Sequence, residues 1–154
     1  MKRTLDLALS LVALLILSPV LFGAALAIAL ESGFPVLFRQ TRLGLHGREF
    51  GMLKFRSMVK NAASIGPYFT SSSDPRITRV GRFIRRTSID ELPQILNVLR
   101  GDMSLVGPRP ERPQFVAELS EQIPYYGLRH CVKPGMTVID YMPSGGWYTT
   151  CCSS

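Results

Sequence analysis

The residues best suited to chemistry in this chain lie in one run, Thr87-Ser88-Ile89-Asp90-Glu91-Leu92-Pro93-Gln94. Adjacent acidic side chains cannot both face one direction, so they suit different tasks. One can attack or accept a proton while the other holds a divalent cation, and Mg2+ commonly takes one or two carboxylates plus phosphate oxygens. Arg85 and Arg86 precede the acids by about one helical turn, and Arg109 is held between Pro108 and Pro110. Arginine forks stabilise charge on the equatorial oxygens of a phosphoryl group in transfer. A carboxylate nucleophile that splits such a transfer into two steps is established chemistry. These residues together describe a phosphoryl-transfer site. A plainer reading stands beside it: Ser88-x-x-Glu91 matches a capping box, and Asp90 with Pro93 in the first turn matches another helix start.

Elements on either side must position these groups. Ile89–Leu99 has a helical pattern, with Leu92, Ile95, Leu96 and Leu99 at i, i+3, i+4 and i+7 on one apolar face. Gly101 then ends that helix. Arg79–Arg86 predicts a short helix. Phe34–Gln40 and Glu49–Met58 carry the Val, Phe and Leu content of extended segments, with Gly44 and Gly47 in the turn between them. Asn61–Pro75 reads as a loop. Gly107-Pro108-Arg109-Pro110 cannot continue a helix, Pro113–Gln122 predicts a second amphipathic helix closed by Pro124, and Pro134-Gly135 marks a turn. The fold class is therefore α+β and helix-rich, without the alternating βα units of a Rossmann domain.

The length of 154 residues allows one domain with a modest core. The net charge of +7, concentrated between Arg39 and Arg112, suits nucleic acid, a phosphorylated substrate or an anionic membrane face, or is a solvated basic surface. Phe50, Phe55, Phe69 and Phe83 lie among arginines, as single-strand stacking would ask, yet no recognisable nucleic-acid motif is present and none is expected as a partner. Cys131, Cys151 and Cys152 form neither a disulfide framework nor a metal-ligand spacing, which points to a reducing compartment. His46 and His130 are isolated and read as surface or packing residues.

The mean hydropathy of +0.16 hides an apolar N-terminus, Leu7–Leu30, interrupted only by Ser10, Ser18, Pro19 and Gly23. A helix of that length could cross a hydrocarbon core of ~30 Å. Lys2, Arg3 and an Ala25-Leu26-Ala27 site would fit a signal peptide, although Asp6 interrupts the basic region. A straight span would leave basic residues on both flanks, with Arg39, Arg42 and Arg48 on the far side. A re-entrant helix satisfies that pattern. Pro19 removes a backbone hydrogen bond near the middle, and Ser18 can satisfy a freed carbonyl. The sequence favours this third form.

Four stretches then resemble one family, the small bacterial phosphoglycosyl transferases, also called bacterial sugar transferases or undecaprenyl-phosphate sugar transferases. They are KRTLDLALSLVALLILSPV, PVLFRQTRLGLHGREFGMLKFRSM, DPRITRVGRFIRRTSIDELPQILNVLRGDMSLVGPRPERPQF and YYGLRHCVKPGMT. They run to Thr137 in the expected order, and SIDELPQILNVLRGDMSLVGPRP is the most specific. The resemblance implies a monotopic enzyme of the bacterial cytoplasmic (inner) membrane, with a re-entrant helix-break-helix at Ser18-Pro19 over residues 1–33. It implies a small catalytic domain over residues 34–137 on the cytoplasmic face. It further implies that Asp90 attacks the sugar-proximal phosphate of a UDP-sugar, releasing UMP, and that polyprenyl (undecaprenyl) phosphate then takes the phosphosugar. Glu91 is implied as the Mg2+ ligand, and Arg85, Arg109, Lys54 and Arg56 as substrate- or phosphate-binding groups, Lys54 and Arg56 belonging to a motif close to the active site. The flanking pattern is most similar to members that initiate exopolysaccharide assembly.

Residues 138–154, VIDYMPSGGWYTTCCSS, depart from the family, which continues into Gly-Trp-Ala-Gln. That departure predicts a truncated or frameshifted reading frame with an atypical tail. It also keeps an alternative function in view, an inactive membrane-bound remnant or interaction module of the same fold.

Overall fold

The computed structural model describes residues 1–62 and 74–138. The element order is α1 (Lys2–Ser32), β1 (Leu37–Leu43), β2 (Glu49–Phe55), α2 (Arg79–Arg86), a 3-10 helix (Ile89–Gln94), α3 (Ile95–Arg100), β3 (Ser104–Gly107), α4 (Pro113–Gln122), a 3-10 helix (Tyr126–Cys131) and β4 (Gly135–Val138). Mixed helix and strand is thus the observed class, and α1 is a single long apolar helix.

The helix break expected at Ser18-Pro19 is not seen: α1 runs through Pro19 as one helix of 31 residues. Ser18 Oγ donates to Leu15 O at 2.8 Å, the carbonyl that Pro19, lacking an N–H, cannot serve. Leu15, Phe22 and Leu30 are 75%, 71% and 80% exposed. Among the described residues α1 is the one helix long and apolar enough to cross a membrane. A helix so apolar and so bare is not the core helix of a water-soluble domain. Gly33, at φ 71, ends it in a left-handed cap.

The chain divides into two compact units, each drawing on several segments. The first comprises Met1–Leu11, Gln40–Met52 and the chain from Ile95 onward. Its core is Met52, Val98 and Met103, with Phe50 and Leu105 packed against them. The first turns of α1 belong here: Arg3 donates to Val98 O at 2.5 Å and to Leu99 O at 2.9 Å, the carbonyl end of α3. Asp6, only 8% exposed, accepts from Ser104 Oγ at 2.8 Å. Strands β3 and β4 pair in parallel, Ser104 with Gly135 and Val106 with Thr137. The approach is so close that a Cβ on Gly135 would meet Gly107 N at 2.0 Å, so only glycine fits.

The second unit comprises Val12–Arg39 and Leu53–Gln94. Ile28, Phe55 and Ile84 form its core, with Leu21, Ala24, Ala25, Val36, Val80 and Ile89 around them. Ala25, which a signal-peptide reading would put at a cleavage site, is therefore packed against this core.

Several sequence expectations shift. Strand β1 starts at Leu37 rather than Phe34, because the residues after Gly33 still turn the chain away from α1. Pro134-Gly135 opens a strand rather than marking a turn, and β3 was not expected. The run Ile89–Arg100 is helical as expected, but its buried side chains are Pro93, Gln94, Ile95, Asn97 and Val98, whereas Leu92, Leu96 and Leu99 are half-buried. The first six residues wind as a 3-10 helix with three residues per turn, so a 3.6-residue period counted from Leu92 loses phase. The predicted loop Asn61–Pro75 falls mostly, and the tail from residue 139 wholly, outside the described residues.

Candidate active site

The reactive stretch begins where α2 ends. Thr78 caps α2, its Oγ1 accepting from Gly81 N at 2.9 Å, which satisfies one of the helix's orphan donors. Gly81 lies directly on the chain after β2: a Cβ there would meet Ser57 O at 2.0 Å. Ile84 turns inward while Arg79, Arg82, Phe83 and Arg86 face out. Arg85 is half-buried, and its Nε donates to the buried Ser57 Oγ at 2.7 Å. Its two terminal nitrogens have no hydrogen-bond partner among the described residues, so the fork is open for an anion.

Ser88 follows α2 in the left-handed region, φ 57, which costs a non-glycine residue roughly 1–3 kcal/mol. It reverses the chain into the 3-10 helix that carries Asp90 and Glu91. The capping-box reading is not what forms. Glu91 does not reach back to Ser88; its Oε1 takes Lys54 Nζ at 2.7 Å. Asp90 lies inside the 3-10 helix rather than at a helix cap. Its carboxyl is held above the usual carboxylate range, first by burial and then by the neighbouring charge of Glu91, with Lys54 and Arg85 pulling the other way. A partly desolvated carboxylate flanked by two cations is suited to attack on a phosphate, because it is less strongly hydrated than one in water while its charge is still supported.

Lys54, Arg85, Asp90 and Glu91 therefore belong to one unit and one cluster of charges. Arg56 is placed differently. It is 8% exposed, and its Nη2 donates to Ser32 O at 2.9 Å, to Ser32 Oγ at 3.0 Å and to Gly33 O. Cations at a helix C-terminus complement its dipole, so this guanidinium caps α1. Arg109 lies in the other unit. It is exposed on a turn between the buried prolines 108 and 110, and Arg129 Nη2 donates to its carbonyl at 2.9 Å. Arg129 also stacks over Tyr126, 4.8 Å from the ring centroid. Arg109 and Arg129, with Leu43, Gly44 and His130, line a shallow pocket. Burial and the Arg129 charge push the His130 imidazole down.

A sequence model of the bacterial sugar transferases matches residues 1–145. The chain belongs to that family. Relatives within it include a UDP-N-acetylgalactosamine-undecaprenyl-phosphate N-acetylgalactosaminephosphotransferase of Aeromonas hydrophila, 47% identical over 88% of this chain and 32% of its own length. A putative undecaprenyl-phosphate N-acetylgalactosaminyl 1-phosphate transferase of Bacillus subtilis is 44% identical over 83% of this chain and 72% of its own. The exopolysaccharide production protein PSS of Rhizobium leguminosarum is 47% identical over 92% of this chain and 73% of its own. The chain spans a third or less of several curated relatives, the Aeromonas protein among them.

Ser57, Arg129, Glu31 and Asp6 escaped the sequence reading as structural partners of the site and its supports. Asp6 carried a signal, since one acid within an apolar helix seeks a partner. Ser57 carried none.

Proposed function

We propose that this chain transfers a phosphosugar from a UDP-sugar to polyprenyl phosphate, releasing UMP, through a covalent phosphosugar on Asp90. The observation that carries the reading is the Asp90 carboxylate, raised by burial and held among Lys54, Arg85 and Glu91. In the first step an Asp90 oxygen attacks the sugar-proximal phosphorus. The bond to the bridging oxygen breaks, and UMP leaves with its electron pair. In the second, an oxygen of polyprenyl phosphate attacks the same phosphorus and the Asp90 carboxylate departs, giving a polyprenyl diphosphosugar. The open Arg85 fork and the Lys54 ammonium hold the phosphate oxygens. The relatives' names, which pair undecaprenyl phosphate with sugar phosphotransfer, support this substrate class. The reaction would be the first membrane step of exopolysaccharide or related glycoconjugate assembly.

Mg2+ fits the donors present. No group of three or more His, Cys, Asp or Glu gathers among the described residues, but a carboxylate pair completed by substrate phosphates is what Mg2+ accepts. Glu91 would hold the ion, which would neutralise phosphate charge; Lys54 already tethers one Glu91 oxygen and orients the group.

Support for a re-entrant α1 on the cytoplasmic face comes from its charges, Lys2 and Arg3 before the apolar run and Arg39, Arg42 and Arg48 after it. Arg3 and Asp6 bond to residues 98–105, while Ser32 and Glu31 bond to Arg56 and to the start of α2. Among the described residues between them no second helix is long and apolar enough to cross a membrane.

The test is UMP release from a panel of UDP-sugars with polyprenyl phosphate and Mg2+, comparing the parent with Asp90→Asn. Release that depends on Asp90 supports transfer and names the sugar. No release from folded, membrane-inserted protein would favour an inactive remnant.

A further inference from the structure

Glu31 lies in the last turn of the membrane helix, outside every group assigned a role in transfer. Its two carboxylate oxygens accept from the first two backbone amides of α2, Arg79 N at 2.9 Å and Val80 N at 3.0 Å. Thr78 Oγ1 takes the third, Gly81 N. A carboxylate at a helix N-terminus is favoured twice, by the orphan donors it satisfies and by the dipole it opposes. The carboxylate is also offered from a fixed place, because the buried Arg56 guanidinium grips the carbonyls of Ser32 and Gly33 immediately after it.

Helix α2 has only eight residues, about 12 Å of rigid rod at 1.5 Å per residue. Whatever holds its first turn therefore sets where Arg85, in its last turn, begins. At the other end, where the buried Ile84 anchors the turn, Arg85 makes one side-chain hydrogen bond among the described residues, from Nε to Ser57 Oγ. We propose that Glu31 is a positioning residue: through α2 it aims the Arg85 fork, so that the end of the membrane helix tunes how the enzyme holds the phosphates of its nucleotide sugar. This rests on the phosphoglycosyl transfer proposed above for Asp90 and Arg85.

The experiment is a double-mutant cycle on the full-length protein in membranes or nanodiscs, with Glu31→Ala, Arg85→Ala and the pair. If Glu31 acts through Arg85, Glu31→Ala lowers kcat/KM for the UDP-sugar by roughly three- to thirtyfold, the range of one lost charged cap. In the Arg85→Ala background it has little further effect. Glu31→Asp, which keeps the charge, recovers part of the loss. Equal fold-losses in both backgrounds overturn the inference, because a general loss of fold would act whether or not Arg85 is present. Hydrogen exchange of the Arg79 and Val80 amides provides a readout independent of turnover. Faster exchange in Glu31→Ala is expected, and unchanged exchange overturns the inference whatever the kinetics show. A parent without turnover, but with exchange responsive to Glu31, would sink the proposed reaction and leave the clamp on α2 demonstrated.

Discussion

Lys54 Nζ lies 2.7 Å from Glu91 Oε1, so the carboxylate next to Asp90 is already neutralised from β2. That pairing also lets Lys54 act on Asp90, where it opposes the upward push of burial. Removing the ammonium should therefore raise the Asp90 carboxyl further. In the proposed reaction the attacking form is the anion, so the acidic limb of kcat/KM should lie above the ordinary value of 3.8. In Lys54→Met that limb should move to higher pH, with the plateau down by about 10- to 100-fold through lost charge stabilisation. A pH–rate profile of parent and variant measures both, and an unmoved limb would remove Lys54 from this role.

Asp90→Asn should separate activity from stability. Intact-protein mass spectrometry with UDP-sugar and no acceptor should show the phosphosugar adduct on the parent and none on the variant. A folded-state pKa raised above the unfolded value means that the group's contribution to stability is full below about pH 4 and is lost as pH rises through the folded pKa. At neutral pH the ionised carboxylate therefore costs stability that a neutral amide does not. The variant should melt a few degrees higher than the parent at pH 7.5, the gap closing on acidification. Lower Tm at neutral pH would contradict the burial argument.

Cysteines placed at residue 2 and near residue 45 should both react with a membrane-impermeant reagent from the cytoplasmic side alone. Opposite accessibility would refute a re-entrant α1. Asp6→Ala should weaken the arrangement, since it leaves Ser104 Oγ without its carboxylate, a loss of about 1–3 kcal/mol for a buried polar contact.

Gly135→Ala should cost on the order of 3 kcal/mol or more, because its methyl would overlap the Gly107 backbone at 2.0 Å and backbone cannot swing aside as a side chain can. Thermal melting in detergent checks it. A variant as stable as the parent would show that β3 and β4 have room to separate.

Much of this was legible in the sequence because the signals were local. Arg79–Arg86 and Pro113–Gln122 form the helices expected over those residues, since caps, prolines and periodicity all act within a few positions. The turn at Gly44–Gly47 was legible for the same reason. Ser18 does take up the carbonyl freed by Pro19, a contact three residues long. What escaped depended on distant partners. The pairing of β3 with β4 joins residues about thirty apart, and four-residue strands rich in glycine leave no alternation to read. Glu91 looked like a reciprocal cap because Lys54, 37 residues earlier, cannot be seen as its partner from spacing. Arg56 sat in a motif beside the site, and only the fold turns it toward the carbonyl end of α1.

The bond from Arg3 to Val98 joins residues 95 positions apart, and it has a consequence for the order of synthesis. Chains emerge N-terminus first, so the apolar helix leaves the ribosome well before the segment that will receive its first turn has been made. If α1 enters lipid as proposed, it does so with that end undocked, and the late arrival of residues 98–105 closes the loop. Insertion of the helix thus comes first and its fastening second.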